Sequence, residues 1–249
     1  MSKYKKVLSA GPLVIEAVYP APHPRDSTAV RAGKRSLSSE AQQRMNLKYA
    51  HQKLELSLAA NYVPGDLLAV FTYDDEHLPE SRAEAVRRNK AFWKRLRKAR
   101  SARNEILKYV YCTEEEHGDK RLHHHAVINS TGGDFAEMQA LWPYGLVLVK
   151  PLIVNREKNY GSLARYFCKE GRDKVGKRLW SCSQNLEKPE VETFRVPDDT
   201  SILPPPGAMV LEDSGDRITE YGHFRYIKFI AQGWERQRKP KAKRNRRRK

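Results

Sequence analysis

The sequence predicts an α+β fold in which helices flank a central five-stranded antiparallel sheet. Three observations predict it. Strand-like and helix-like runs follow one another as strand, helix, strand, strand, helix, strand, a split βαβ order. Two of those strands are separated by a short stretch holding Gly118 and Asp119, the chemistry of a hairpin turn. The segment from Glu40 to Ala60 holds helix formers and no interior Gly or Pro, which supplies a long helix to pack on the sheet.

Taken in order, Leu13 to Tyr19 is an apolar, β-branched run bounded by Gly11, Pro12 and Pro20, and reads as a strand. Residues 21–39 are polar, with prolines and basic residues, and read as a loop. After the Glu40–Ala60 helix, Pro64 and Gly65 mark a turn. Leu67 to Tyr73 is a strand that ends in Asp74, Asp75 and Glu76. Ser81 to Arg100 is a long helix with Val86, Trp93 and Leu96 on its buried stripe and Arg82, Arg87, Arg88, Lys90, Lys94, Arg95, Arg97, Lys98 and Arg100 on its other faces. Ile106 to Glu115 and Leu122 to Asn129 form the hairpin. Asp134 followed by Glu137 has the pattern of a helix N-cap with its capping-box partner, opening a short helix to Trp142. Leu146 to Val154 is a strand interrupted at Pro151 and therefore belongs at an edge. Asn159 to Glu170 is a helix stopped by Gly171. Shorter strand-like runs follow at 177–185, 191–196 and 218–230. The whole is expected to be ferredoxin-like. It carries a strand and loop extension over 1–39, a main domain over 40–235 with C-terminal strand additions, and a basic tail over 236–249, disordered without a ligand.

The net charge is +17. Ten of the last fourteen residues are Lys or Arg, and removing them leaves +7, so the folded part is basic as well. That balance favours a polyanionic partner, nucleic acid first, with solubility alone as the plain alternative. Cys112, Cys168 and Cys182 are too few and too scattered for a disulfide framework or a closed zinc site, and their odd number suits a reducing compartment. No apolar run reaches the length of a membrane span, and the N-terminus lacks a signal-peptide core.

His123 and His125 are one residue apart. On a strand they project from one face while His124 points the other way, and two imidazoles on one side are two thirds of an open metal site. In a chain with eight histidines such a pair is weak by itself, and half-exposed strand histidines are the plain alternative. Glu114, Glu115 and Glu116 end the partner strand. Glu114, favoured, or Glu116, on the same face, could bring a carboxylate across the hairpin and leave positions for water and a substrate oxygen. An exposed acidic turn is the competing reading, and Asp74 and Asp75 could assist from a neighbouring position. The set suits one divalent ion, Mg2+ or Mn2+, in phosphoryl chemistry, with Zn2+ allowed by ligand type.

Tyr166 and Lys169 stand three apart on the 159–170 helix and share a face. Holding a phenol as tyrosinate at pH 7 costs about 4 kcal/mol, and a divalent cation and a nearby ammonium lower that cost. The plain alternative is an amphipathic helix in which Tyr166 packs and Lys169 snorkels. Metal, phenol and polyanion together describe transesterification at a phosphodiester.

Phe71 to Pro79, Arg121 to Ile128 and Leu163 to Lys169 resemble, in order and spacing, the three motifs of the HUH endonucleases, the rolling-circle replication initiators and their relatives. The nearest likeness is to the initiators (Rep proteins) of small single-stranded DNA phages and related bacterial elements, over about residues 40 to 190. The segment 176–189 is similar to one that follows the third motif in such initiators. The resemblance implies metal-dependent nicking and joining of single-stranded DNA at an origin or hairpin. Tyr166 would be the nucleophile, leaving a 5′-phosphotyrosine and a free 3′-hydroxyl. His123, His125 and the glutamate would hold the ion, and Lys169 would orient or neutralise charge beside the phenol. Arg87, Arg88, Lys94, Arg95, Arg97 and Lys98 on the 81–100 helix, Arg165, and Lys241, Arg246 and Arg247 in the tail are expected to bind backbone phosphates without reading bases. His124 departs from the apolar residue of the family pattern. Tyr160 lies six residues before Tyr166, about 600° around a helix, so a one-tyrosine enzyme is expected. No Gly-x-x-x-x-Gly-Lys loop is present, and ATP use is not implied. The implied setting is a bacterial or phage-infected cytoplasm with a host helicase and polymerase as partners and no membrane. Transposition and plasmid mobilisation use the same chemistry, and a non-catalytic nucleic-acid-binding protein on a ferredoxin-like sheet is the alternative from another class.

Overall fold

The computed structural model of the protein describes residues 3–20, 40–114, 121–169, 178–211, 215–219 and 222–232. The elements in chain order are β1 (Lys3–Ala10), β2 (Leu13–Pro20), α1 (Glu40–Asn61), β3 (Leu67–Phe71), α2 (Arg82–Ala102), β4 (Tyr109–Glu114), β5 (His123–Ile128), α3 (Asp134–Leu141), β6 (Val147–Pro151), α4 (Gly161–Phe167), β7 (Ser181–Cys182), β8 (Glu190–Val196), β9 (Met209–Val210), β10 (Gly215–Thr219) and β11 (Gly222–Ile230). The hairpin turn and the basic tail lie outside the described residues.

The expected α+β architecture is present. One antiparallel sheet has the order β6-β3-β5-β4-β7, five strands with Pro151 on the edge strand β6 as its missing N–H requires. The second sheet, β10-β11-β2-β1-β8 with β9 on β11, joins the N-terminal hairpin to the C-terminal strands. Strand β1 was not expected. Lys3, Lys5 and Lys6 hide its alternation, and it exists because β2 and β8 satisfy its backbone on both sides.

The central sheet is covered on both faces, which is why every residue of β4 is buried. Phe71, Tyr109, Tyr111, Ala126 and Ile128 point to α2 and α3, where Phe92, Trp93, Met138 and Trp142 complete an aromatic core. The Trp93 and Tyr109 rings stack at 4.1 Å. Val110, Cys112 and Val127 point the other way, to α1 and α4. Helix α1 is wedged between the two sheets, so Leu54, Glu55, Leu56, Leu58, Ala59 and Ala60 are all buried rather than one stripe of them. Its Glu55 meets Lys228 of β11 at 2.8 Å in the interior.

Three local expectations need correction. Val86 is half-buried; the inward stripe of α2 is Ala85, Asn89, Phe92, Trp93, Leu96 and Arg100. Arg100, expected on a solvent face, is completely buried and lies 2.7 Å from Asp134. Asp134 is the first residue of α3 rather than its cap, which is Gly133 at φ +67°. Its carboxylate instead accepts from Ser130 Oγ, Thr131 N, Thr131 Oγ1, Gly132 N and Arg100. Glu137 does not close a capping box but pairs with Arg103 at 2.7 Å.

Burial raises the Asp134 pKa, but the Thr131 donors, Arg100 and Ser130 outweigh it and hold the carboxyl below its ordinary value of 3.8. A depressed folded pKa means that this stabilisation is present above pH 3.8 and is lost as pH falls below it. Replacing Asp134 by Asn removes the close partner of the buried Arg100 and leaves it the more distant Glu137, 3.9 Å away. It is expected to cost about 3–5 kcal/mol and to flatten the acid limb of the stability curve below about pH 4. Urea unfolding across pH checks both; an Asp134→Asn variant as stable as the parent refutes the anchor.

Candidate metal and tyrosine site

The site is built by strand register. Glu114, the last residue of β4, stands opposite His123, and Cys112 opposite His125. Paired residues share a face, so Glu114, His123 and His125 all project toward α4. The His123 Nε2 atom lies 3.3 Å from Glu114 Oε2, the His125 Nε2 atom 3.4 Å from Oε1, and the two Nε2 atoms 3.0 Å from each other. These three are the group of ligand-type side chains that could hold a metal ion among the described residues. The sequence favoured Glu114 over Glu116; Glu114 closes the group, and Glu116 lies outside the described residues.

The donor set fits a cation. Both Glu114 oxygens are shut off from solvent, and their neighbours are the two imidazoles and the Lys169 ammonium. The Nδ1 atom of His123 lies 2.9 Å from the Arg121 carbonyl, which must accept its proton, so Nε2 faces the carboxylate either with a second proton or with a lone pair that a cation can take. Two such nitrogens at 3.0 Å repel each other unless a proton or a cation lies between them. Burial raises the pKa of Glu114, yet His123, His125 and Lys169 together hold it well below the usual carboxylate range, so it carries its charge.

Helix α4 brings the phenol. It begins at Gly161, whose N–H donates to Asn159 Oδ1 at 2.7 Å, and ends at Cys168, whose N–H reaches both Ala164 O and Arg165 O. It is thus shorter than the 159–170 helix expected, because the last turn tightens. Lys169 falls just past the helix yet still reaches the site. Its Nζ atom is 2.6 Å from Glu114 Oε2 and 4.6 Å from the centre of the Tyr166 ring. The Tyr166 hydroxyl lies within hydrogen-bond reach of His125 Nε2 at 2.9 Å and the residue remains 40% exposed, open to an incoming ligand. Burial, then the Glu114 carboxylate, push the Tyr166 pKa above 10, and Lys169 opposes them. Tyr160 is buried, with its hydroxyl directed to Tyr62 O, and takes no part in the site.

His124 occupies the opposite face, wholly buried. Its Nε2 lies 2.8 Å from Tyr73 Oη and its Nδ1 2.8 Å from Thr113 Oγ1, so the polar ring is satisfied among aromatic side chains. Burial, with His123, Arg82 and His125 nearby, lowers its pKa to about 3 and keeps it neutral. Asp74 and Asp75 lie outside the metal group. Asp74 binds His77 at 2.7 Å, and Asp75 pairs with Arg121. Reasoning from sequence missed the Tyr73–His124–Thr113 chain; the only signal for it was the polar residue in a fully buried strand.

The basic side chains divide by face. Helix α2 covers the face opposite the site. On it Arg87, Lys94, Arg97 and Lys98 are exposed, Arg88 binds Glu84 at 2.7 Å, and Arg95 donates to Leu141 O at 2.9 Å. Arg165 is exposed on α4 beside Tyr166, whereas Lys241, Arg246 and Arg247 lie outside the described residues.

Residues 66–171, less than half of the chain, match the replication-associated protein family that takes its name from ORF2. No curated protein and no solved structure matches the chain. The matched span contains β3 to α4, hence the whole His–Glu–Tyr–Lys cluster, and supports a role in DNA replication. No helix among the described residues is long and apolar enough to cross a membrane.

An ion held at Glu114, His123 and His125 binds the folded state alone, so Mn2+ at about a hundredfold excess over its Kd is expected to add about 2.7 kcal/mol of stability. Thermal unfolding with and without Mn2+ measures it. The shift should vanish in Glu114→Gln and in the His123→Ala/His125→Ala double variant, and a full shift in either puts the ion elsewhere.

Proposed function

We propose that the protein is a rolling-circle replication initiator that nicks and rejoins single-stranded DNA through Tyr166. The observation that carries this reading is the approach of the Tyr166 hydroxyl to a buried His–His–Glu donor set, with Lys169 between phenol and carboxylate. A phenol, an ammonium and a cation-binding triad within contact of one another are the parts needed to attack a phosphodiester.

In this reading Tyr166 Oη gives up its proton and forms a bond to phosphorus, the phosphorus–O3′ bond breaks, and the leaving 3′ oxygen takes up a proton in turn. The products are a 5′-phosphotyrosine and a 3′-hydroxyl, and the reverse attack by a 3′-hydroxyl rejoins a strand. Glu114, His123 and His125 would hold one Mg2+ or Mn2+ ion, which when bound supplies charge to polarise the phosphate oxygens. It would also offset the Glu114 contribution that raises the Tyr166 pKa. Lys169 orients the phenol from beside its ring and places a second positive charge where the phosphate arrives. Arg165 is the exposed cation nearest the nucleophile in sequence and would bind the backbone next to the scissile phosphate. Arg87, Lys94, Arg97 and Lys98 on α2 would hold strand or flanking duplex on the other face, and Arg88 and Arg95 would stiffen that helix through their internal bonds.

Incubation with labelled single-stranded DNA from beside the gene and Mn2+ should give a covalent adduct on a denaturing gel. Tyr166→Phe should abolish it, and Lys169→Met should slow its formation by about 10²–10³-fold, the range for losing one group that stabilises developing charge. An adduct that persists in Tyr166→Phe rules out this nucleophile. No adduct under any metal favours the non-catalytic alternative.

A further inference from the structure

The second sheet carries a surface that the family match does not reach, since β1, β2, β8 and β11 lie outside residues 66–171. Register sorts its side chains by face. Ala10 opposite Leu13, and Leu8 opposite Ile15, point into the core beneath α1. Further along the same face, Tyr4 stands opposite both Tyr19 and Arg195, Lys6 opposite Ala17 and Thr193, and Tyr226 opposite Ala17. Phe224, two residues before Tyr226, shares the face.

These side chains form a continuous arrangement. The Tyr4 and Tyr19 rings are stacked at 6.1 Å and 27°. Arg195 lies 5.8 Å over the Tyr4 ring and donates its Nε–H to Tyr4 Oη at 3.2 Å. Lys48 reaches from α1 to 5.4 Å over the Tyr226 ring. Arg195 and Lys48 are exposed, and the aromatic rings are half-exposed. Meanwhile Glu16 and Glu192, both opposite Val7, and Glu190, opposite Ser9, fall on the other face. The strands β1, β2, β8 and β11 thus place aromatic rings and cations on this face and all their carboxylates on the other.

We propose that this face is a second binding surface for single-stranded DNA, distinct from the Tyr166 site. Arg195 and Lys48 turn from the rings to join Lys6 along the phosphate backbone, and unpaired bases take their place on Tyr4 and Tyr226 and stack beside Tyr19. Rings with cations over them suit a ligand that alternates π-faces with negative charge, which single-stranded nucleic acid does at every nucleotide. Duplex DNA hides its base faces and gives such rings nothing to stack on. The absence of carboxylates from the strands on this face removes the repulsion that a polyanion would otherwise meet.

The test uses the full-length Tyr166→Phe protein in EDTA, so that it does not depend on nicking or on metal. Binding of a fluorescent oligothymidylate is followed by anisotropy as salt is varied. Tyr4→Leu/Tyr19→Leu is expected to weaken binding by about tenfold or more. Lys48→Gln/Arg195→Gln, at exposed positions that leave the strands intact, is expected to lower the salt slope by about 1.4. Irradiated 5-iodouracil oligonucleotides should crosslink to Tyr4, Tyr19 or Tyr226. Unchanged affinity and slope in variants that melt like the parent, or crosslinks confined to other regions, overturn the proposal. Variants that bind DNA normally but sediment as a smaller species assign the face to contact between copies of the chain and also overturn it.

Discussion

The pairing of β4 with β5 is the constraint on which the site depends. Glu114 meets His123 only in this register, and a slip of one residue would move every side chain of β5 to the opposite face. Such a slip is penalised on both faces. It would push His123 and His125 into the aromatic core around Trp142 and expose His124, whose two ring nitrogens are matched to buried hydroxyls. A buried polar ring that fits one register and no other is a specificity device. The His124 departure from an apolar residue therefore stabilises the ligand pair by fixing the strand that carries it.

Electrostatics follow from the same register. Glu114 is 2% exposed, and a lone carboxylate that deep would lose its charge. Three nitrogen-bearing side chains converge on it and hold it ionised. The arrangement places negative charge at a point inside the protein with the Lys169 ammonium beside it. Tyr166 stands at the boundary between them, with its ring beside Lys169 and its hydroxyl on His125. The separations between Tyr166 and the Glu114–His123–His125 group are set by the backbone of β4, β5 and α4.

What could be read from the sequence was what local pattern encodes. Alternation put His123 and His125 on one face, the acidic strand end supplied Glu114, and three-residue spacing brought Lys169 to Tyr166. Those relations hold within a hairpin or a helical turn. The second sheet was not legible in the same way, because β1 finds its β8 partner in residues 190–196, far along the chain. Arg100 was misplaced for a related reason. Position 100 follows the buried Leu96 by four residues, but from sequence its charge places it on a solvent face, because its partner, Asp134, lies 34 positions away. Once that carboxylate was bound to Arg100 and the preceding loop, it was no longer free to act as the N-cap that its spacing from Glu137 suggested.

The two sheets are not independent, and α1 is the reason. Its Glu55 is buried against Lys228 of β11 on one side. On the other side its Oε1 atom would lie 3.1 Å from a side-chain carbon placed on Gly161, the first residue of the tyrosine helix, and Asn159 Oδ1 would be equally close at 3.0 Å. A side chain at position 161 would oblige these two side-chain oxygens to give way by a few tenths of an ångström. The carboxylate at the start of α4 is in turn tolerable in the interior only because Lys228 neutralises it. Removing Lys228 would leave the Glu55 carboxylate at the base of α4 without its cation, to be relieved by taking up a proton or by a local shift. Tyr166 sits on the same short helix, so the base of its helix adjoins an ion pair completed by a lysine of β11. The C-terminal strands thus support the site although the matched replication-associated segment ends before them.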